Sequence, residues 1–332
     1  MSKIKTAVIG VGSMGRNHAR VLYDLPESEL VAVCDSDEKT AREISKRYNC
    51  NAYTDYKELI EKEMPDAVVI AVPTKLHKKV AVDFMNKGIN VLIEKPIASS
   101  VEEAEEIIET AEKNKVKLMV GHIERFNPAI MELKKNIDDG KLGKIYKIDV
   151  NRVGPFPSRI RDVGVVIDLA VHDIDVIFYL TSSDVERVYA ECERRIHTSH
   201  EDILSGIMKL KNKTVCSLNI NWLTPTKIRK LFVTGEKGMF VANYLTQDLY
   251  YYENSSAFEV FQTPGGGWSV NEGKMVKYYI KKEEPLKSEL KHFLKSIKQN
   301  EKPLISGRDG MRALKIAKAL VESSREKSVR NI

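Results

Sequence analysis

Lys5-Thr6-Ala7-Val8-Ile9-Gly10-Val11-Gly12-Ser13-Met14-Gly15 is the stretch whose reading decides the fold. The apolar run Ala7 to Ile9 has the character of a buried strand and ends in Gly10-x-Gly12-x-x-Gly15. Behind it, Arg16 to Leu25 carries helical spacing at Ala19 and Leu22. Strand, glycines and helix in that order make a dinucleotide site. Gly10 serves the tight turn, Gly12 the approach of a pyrophosphate to the backbone, and Gly15 the close packing of helix on strand. The pyrophosphate then meets unpaired N–H groups at a helix N-terminus, where the dipole favours negative charge. A second strand, Leu30 to Cys34, ends in Asp35, about 20 residues beyond Gly15, the spacing of a carboxylate that accepts from the adenosine ribose. That carboxylate repels a 2′-phosphate and so predicts NAD over NADP, with Lys39 close enough to work against it.

Working outward, residues 1 to about 120 alternate strand and helix. A helix is expected over Asp37–Tyr48, capped by Ser36 or Asp37, and a short one over Tyr56–Met64. Asp66–Val72 reads as a fully buried strand, followed by helix His77–Lys87, strand Asn90–Glu94, helix Val101–Asn114 and strand Lys117–Val120. Continuous apolar strands between amphipathic helices imply a doubly wound parallel sheet covered on both faces. After Gly121 the character changes. Helix Pro128–Ile137, strand Ile145–Asn151, a loop rich in Gly, Pro and Arg, and an apolar helix over Val165–Leu180 precede a series of strand-like runs. Lys211-Asn212-Lys213 and Glu236-Lys237-Gly238 look like hairpin turns and imply antiparallel pairing. Two helices, Leu286–Gln299 and Gly310–Arg325, finish the chain. The expected class is α/β: a Rossmann domain over 1–121 and an α+β domain with a largely antiparallel open sheet over 122–332, its last helix returning to the first domain.

Composition bounds the function. The chain has 332 residues, 42% of them hydrophobic, enough for two ordinary cores. No apolar run approaches the roughly 18 residues that span a bilayer, and Met1-Ser2-Lys3-Ile4-Lys5 runs straight into a strand, so neither membrane nor signal peptide is expected. Cys34, Cys50, Cys192 and Cys216 lie far apart, without the close pairs of a zinc site, and Cys34 and Cys216, within apolar strands, read as reduced core residues of a cytoplasmic protein. His197-x-x-His200 has metal-like spacing but no cluster of acids or thiols beside it, so no metal is expected. The net charge of +6 is spread among interspersed acids, with no basic block of the kind that binds nucleic acid. An anionic small molecule suits it better.

Several motifs in order resemble the Gfo/Idh/MocA family of sugar and inositol dehydrogenases. They are the glycine turn with nearby His18, Val72-Pro73-Thr74-Lys75-Leu76-His77, Glu94-Lys95-Pro96, Asp168-x-x-x-His172 and Ser306-Gly307-Arg308-Asp309-Gly310. The second departs from the family's pattern at Val72 and at Thr74, where Asn is usual. Gly121-His122-Ile123-Glu124-Arg125-Phe126-Asn127-Pro128 and Arg152-Val153-Gly154-Pro155-Phe156-Pro157 look like its sugar-nucleotide branch, which oxidises the 3-hydroxyl of UDP-linked N-acetylhexosamines. The resemblance implies NAD contacts at Gly10, Gly12, Ser13, Met14, Gly15, Asp35, Val72, Pro73, Thr74, His77, Glu94 and Lys95. It also implies an enzyme that removes hydride from C3 of a UDP-N-acetylhexosamine, with a free sugar or inositol as the alternative substrate. A non-catalytic dinucleotide-binding regulator is the alternative of another class.

The residues themselves carry that chemistry. Lys95 follows an apolar strand at its carboxyl end, where ligands bind in open α/β sheets. Pro96 disfavours helical geometry at Lys95, and the bond between them is a candidate for the cis form. A lysine there can stabilise the developing negative charge on the substrate oxygen or, with a lowered pKa, take the proton. Asp168 and His172, four apart on a helix, share a face continued by Asp175, with Asp173 turned another way. An imidazole suits general-base work on an alcohol, and Asp168 can orient it or bind a sugar hydroxyl. Which of Lys95 and His172 is the base stays open, and the pair is expected to meet across the cleft between domains. His122 and Arg125 are expected at the crevice, Asn127 as a cap or a substrate contact, and Arg152, Arg159 and Arg161 at a nucleotide diphosphate, whose oxygens match a guanidinium fork. Alternating strands such as Ser217–Trp222 leave one sheet face for a homo-oligomer, dimer or tetramer.

Overall fold

A computed structural model describes residues 3–157, 163–197, 199–255, 260–262, 268–270 and 272–332. The chain divides into two compact units: 1–123 with Glu284–Lys315, and Glu124–Glu283 with Ile316–Ile332. The break at 123 lies two residues from the expected one. The segment that starts at Glu284 counts with the first unit, further back than the single last helix foreseen.

The first unit runs β1 (Ile4–Ile9), α1 (Ser13–Asp24), β2 (Ser28–Cys34), α2 (Glu38–Tyr48), β3 (Asn51–Tyr53), α3 (Tyr56–Glu63), β4 (Ala67–Ile70), α4 (His77–Met85), β5 (Asn90–Glu94), α5 (Val101–Lys113) and β6 (Leu118–Gly121). Its six strands are all parallel, in the order β3-β2-β1-β4-β5-β6. The order reverses between β1 and β4, and the crevice outside their carboxyl ends is where such sheets bind ligands. Every residue of β4 is buried, as a strand covered on both faces requires. Asp37 caps α2 by accepting from the Lys39 N–H, and Ser100 caps α5 by accepting from Glu103.

The second unit contains α6 (Pro128–Asp138), β7 (Ile145–Val153), α7 (Val171–Thr181), β8 (Val185–Glu193), β9 (Ile203–Leu210), β10 (Val215–Asn221), β11 (Ile228–Gly235), β12 (Gly238–Asn243) and β13 (Asp248–Glu253). A short ribbon of β14 (Val260–Gln262) and β15 (Trp268–Val270) and the strand β16 (Met275–Lys277) follow. The helices α8 (Pro285–Lys298) and α9 (Gly307–Glu326) and a final β17 (Arg330–Asn331) close the chain. The large sheet has nine strands in the order β16-β13-β12-β11-β7-β10-β9-β8-β17. It is antiparallel except where β10 lies parallel to β7. Alternate residues of β9 and β10 are buried, so one face carries the core.

The single helix expected over Val165–Leu180 is a π turn, Val166–Ala170, that leads into α7. Its start is pinned by Glu201, whose main-chain oxygen accepts from Val165 N at 2.9 Å and whose side chain accepts from Val166 N at 3.2 Å. A Cβ on Gly164 would come within 2.1 Å of the Glu201 carboxylate. Cys34 and Cys216 are buried and unpaired, and burial pushes each thiol up to about 12. Among the described residues no helix is long and apolar enough to cross a membrane.

Candidate active site

At the reversal between β1 and β4 the three glycines differ as their roles require. Gly10 has φ +84°, and a Cβ on it would come within 2.8 Å of the Ala71 and Val72 backbone, so only glycine lets the two loops meet. A Cβ on Gly15 would lie 1.8 Å from the Gly10 carbonyl oxygen, which fixes how closely α1 approaches the turn. A Cβ on Gly12 would meet no atom within 4 Å: its side faces the open cradle a pyrophosphate needs. Ser13 opens α1, with Gly12 as N-cap, no side-chain cap and no acid in the first turn. The N–H groups at this end are therefore left for an anion. Gly12 and Ser13 are exposed and Met14 half-buried beside them. Asp35 at the end of β2 accepts from Val11 N at 2.8 Å through Oδ2 and from Asp37 N at 3.0 Å through Oδ1. Two backbone donors orient the carboxylate while each oxygen keeps a lone pair for a ribose hydroxyl.

Beyond β4, Val72 and Pro73 lead into a single 3₁₀ turn, Thr74–Leu76, and all three of Val72, Pro73 and Thr74 are at least partly exposed. His77 does not join them as a ligand contact. Its ring is 1% exposed, with Nδ1 2.9 Å from the Pro96 oxygen and Nε2 2.9 Å from the Val72 oxygen. It braces one loop against the other, and burial outweighs those carbonyls to lower its pKa. The Lys95-Pro96 bond is cis. Lys95 is half-buried at the end of β5.

Glu94 is likewise buried and turned inward, against the expectation of a cofactor contact. Its Oε1 lies 2.7 Å from Nε2 of His18 on α1, and its Oε2 accepts from Lys95 N at 3.2 Å. Burial alone would raise the Glu94 carboxyl, but the hydrogen bond and charge of His18, with Lys95, hold it below its usual value. A carboxyl held low in the folded chain adds stability that is complete above its unfolded value of about 4.3 and is lost as pH falls through the folded value. His18→Gln removes the strongest of these partners. The fall in Tm between about pH 5 and pH 3 should then be shallower than in the parent chain. Equal slopes would show that the pair carries none of the acid sensitivity.

In the second unit Asp168 sits on the π turn and His172 in the first turn of α7. Both are half-buried, while Val171, Asp173 and Ile174 around them are buried. Asp175, expected to continue their face, is instead fully buried and takes both Nε (2.8 Å) and Nη2 (2.7 Å) of Arg125. Arg125 is thereby committed to a buried fork–fork pair rather than to a crevice. Asn127 caps α6 through Oδ1 to Ala129 N and donates to the Tyr244 oxygen at 3.0 Å, so its role is the structural one. His122, in the first unit, is buried immediately after β6.

Arg152 is the larger correction. It is 1% exposed, and its guanidinium donates to Asp173 at 2.5 and 3.2 Å and to Glu124 at 3.0 Å. The Tyr244 ring lies 4.8 Å from its charge centre. Burial works against its charge, yet Asp173 and Glu124 hold its proton more tightly than usual. No fork is left for a phosphate. Arg159 and Arg161 lie outside the described residues. His197 is buried against Trp222, its Nδ1 accepting from the Ser199 and His200 N–H groups, a turn-forming role. Glu124, Asp173 and Arg229 were not foreseen as a group. Glu124 lies inside the Gly121–Pro128 motif, and that was the only signal.

Residues 4–122 match the Gfo/Idh/MocA profile of an oxidoreductase family with an NAD-binding Rossmann fold, and 134–332 match that family's C-terminal alpha/beta domain. The UDP-N-acetylglucosamine 3-dehydrogenase of Acidithiobacillus ferrooxidans is 29% identical over 317 residues, 96% of each chain. A solved structure of that enzyme superposes with a TM-score of 0.87 at 28% identity, covering 98% of this chain and 99% of the other. The inositol 2-dehydrogenase of Rhizobium meliloti is 26% identical over 98% of each chain. The scyllo-inositol dehydrogenase of Lactobacillus casei, solved with NAD(H) and scyllo-inositol, shares the fold at 21% identity, with a TM-score of 0.82 over 99% of both chains.

Proposed function

The chain belongs to the Gfo/Idh/MocA oxidoreductases, and on that premise we propose that it oxidises the 3-hydroxyl of a UDP-N-acetylhexosamine to the 3-keto sugar. The observation that carries this reading is the end-to-end likeness to a UDP-N-acetylglucosamine 3-dehydrogenase. Bound NAD⁺ supplies the hydride acceptor. The remaining work belongs to the chain. The Gly10–Gly15 turn and the start of α1 hold the pyrophosphate, and Asp35 accepts from the ribose. Lys95 donates to the substrate oxygen and stabilises its alkoxide character, and His172, neutral, takes the hydroxyl proton. Asp168 orients the imidazole or binds a neighbouring hydroxyl. The second reading, an inositol or free-sugar dehydrogenase, rests on relatives at 26% identity over nearly the same length.

NADH formation from UDP-N-acetylglucosamine, UDP-N-acetylgalactosamine, free N-acetylglucosamine and myo-inositol decides between them. A UDP-sugar should give the highest kcat/KM, and a preference for inositol would sink the first reading. Cofactor choice offers a separate check. Removing a hydrogen bond to a charged group costs about 1.5–3 kcal/mol, so Asp35→Ala should narrow the NAD⁺ over NADP⁺ ratio of kcat/KM by about tenfold or more. An unchanged ratio would show that Asp35 does not read the ribose.

A further inference from the structure

Arg152 stands directly opposite Arg229 on the neighbouring antiparallel strand. Two like charges in that position repel one another. The inner face they share is otherwise apolar: Ile148 and Val150 on β7, Leu231 and Val233 on β11, all buried. Arg152 resolves its side by engaging Asp173 and Glu124. Arg229 has no such arrangement. Its side chain is only 28% exposed, its nearest carboxylate oxygen belongs to Glu124 at 3.9 Å, and among the described residues its guanidinium makes no hydrogen bond. Burial and the adjoining Arg152 both work against its charge, while Glu124, Asp173 and Asp168 support it. Asp168 of the candidate catalytic pair is thus among the charges Arg229 feels.

A second cation stands beside it. Lys227, two residues earlier, is exposed, and among the described residues no carboxylate pairs with it. Its Cα would be 3.8 Å from a Cβ on Gly154, which places it against the loop that follows β7. The turn that delivers it is fixed by Asn221, whose Oδ1 accepts from Leu223 N, Thr224 N and Thr224 Oγ1. This end of the sheet therefore presents a half-buried guanidinium that makes no hydrogen bond among the described residues and reaches its nearest carboxylate oxygen only at 3.9 Å, with an exposed ammonium two residues before it. A guanidinium fork matches phosphate oxygens, and a lysine adds a charge without the fork. In a nucleotide sugar the diphosphate hangs directly on the sugar ring, so its anchor has to lie beside the residues that handle the hydroxyls.

We infer that Lys227 and Arg229 anchor the substrate's diphosphate, a role the sequence had suggested for Arg152, Arg159 and Arg161. This assignment rests on the nucleotide-sugar reading above. Calorimetric titration of the NAD-loaded enzyme with UDP tests it. Arg229→Met and Lys227→Met should each weaken UDP binding by about tenfold or more, and Arg229→Lys should recover only part, since it keeps the charge without the fork. NAD⁺ affinity and KM for any uncharged sugar should stay at parent values. Lys227→Met, at an exposed position, keeps the test sound if the Arg229 variants fold poorly. UDP affinity within about twofold of the parent in both variants overturns the assignment while leaving the nucleotide-sugar reading in place. A lower kcat with unchanged UDP affinity in Arg229→Met overturns it as well, and makes Arg229 a partner of Asp168. A parent enzyme that turns over an uncharged sugar and binds no UDP overturns both.

Discussion

His172→Ala is expected to lower kcat by about two to four orders of magnitude, the usual contribution of a positioned general base. Lys95→Ala should lose about two to three orders through the unstabilised alkoxide. In both variants NAD⁺ should still bind, because the glycine turn, the start of α1 and Asp35 are untouched. The double variant should fall little below the worse single one, since groups that act on one proton and one oxygen fail as a unit. Single-turnover NADH formation with the best UDP-sugar is the measurement. If either single variant keeps kcat within about threefold of the parent, that residue has no part in the proton or charge chemistry.

Arg152→Met should cost about 3–5 kcal/mol of folding stability, because it strands Asp173 and Glu124 in the interior without their shared cation. Burial is the reason for so large a figure: Arg152 is 1% exposed and Asp173 is fully enclosed. The same exchange at an exposed arginine would be worth a few tenths. Replacing the pair together, Arg152→Met with Asp173→Leu, removes one stranded charge and should recover part of the loss. Urea midpoints for the parent, both singles and the double would measure it. A single Arg152→Met variant within about 1 kcal/mol of the parent would show that the network is not what holds α7 to the sheet.

Arg152 also shows what a sequence conceals. The three glycines, the apolar strands and Asp35 were readable because each depends on neighbours a few residues away, and spacing records those. The destiny of an arginine depends on what faces it after folding. The partners of Arg152 lie 21 and 28 positions away in sequence and that of Arg125 lies 50 away, so a fork poised for phosphate and a fork closed on buried carboxylates look alike. The π turn was hidden for a related reason: an apolar run at helical spacing does not reveal one widened turn. The hairpin connections correctly joined β9 to β10 and β11 to β12, but no local signal announced that β10 would lie parallel to β7 on its other edge. His77 carried a motif's expectation and turned out to be a brace, because both of its nitrogens face main-chain oxygens.

The return of Glu284–Lys315 to the first unit has a bearing on how this protein is made. On the β6 edge of the parallel sheet, Val120 donates to the Ile305 oxygen at 3.2 Å, and Gly310 at the start of α9 passes so near that a Cβ there would press into the Val120 side chain. Arg20 of α1 is paired with Glu284, the residue that leads into α8. A ribosome that has released only the first 123 residues has delivered every strand of the dinucleotide sheet but none of this covering. An unpaired edge is a template for another chain until something closes over it. Domains generally fold as units in the order they emerge, yet here the first unit waits for a segment that lies beyond the whole of Glu124–Glu283. Its completion is tied to the synthesis of that intervening stretch, and the nascent sheet spends the interval with β6 uncovered.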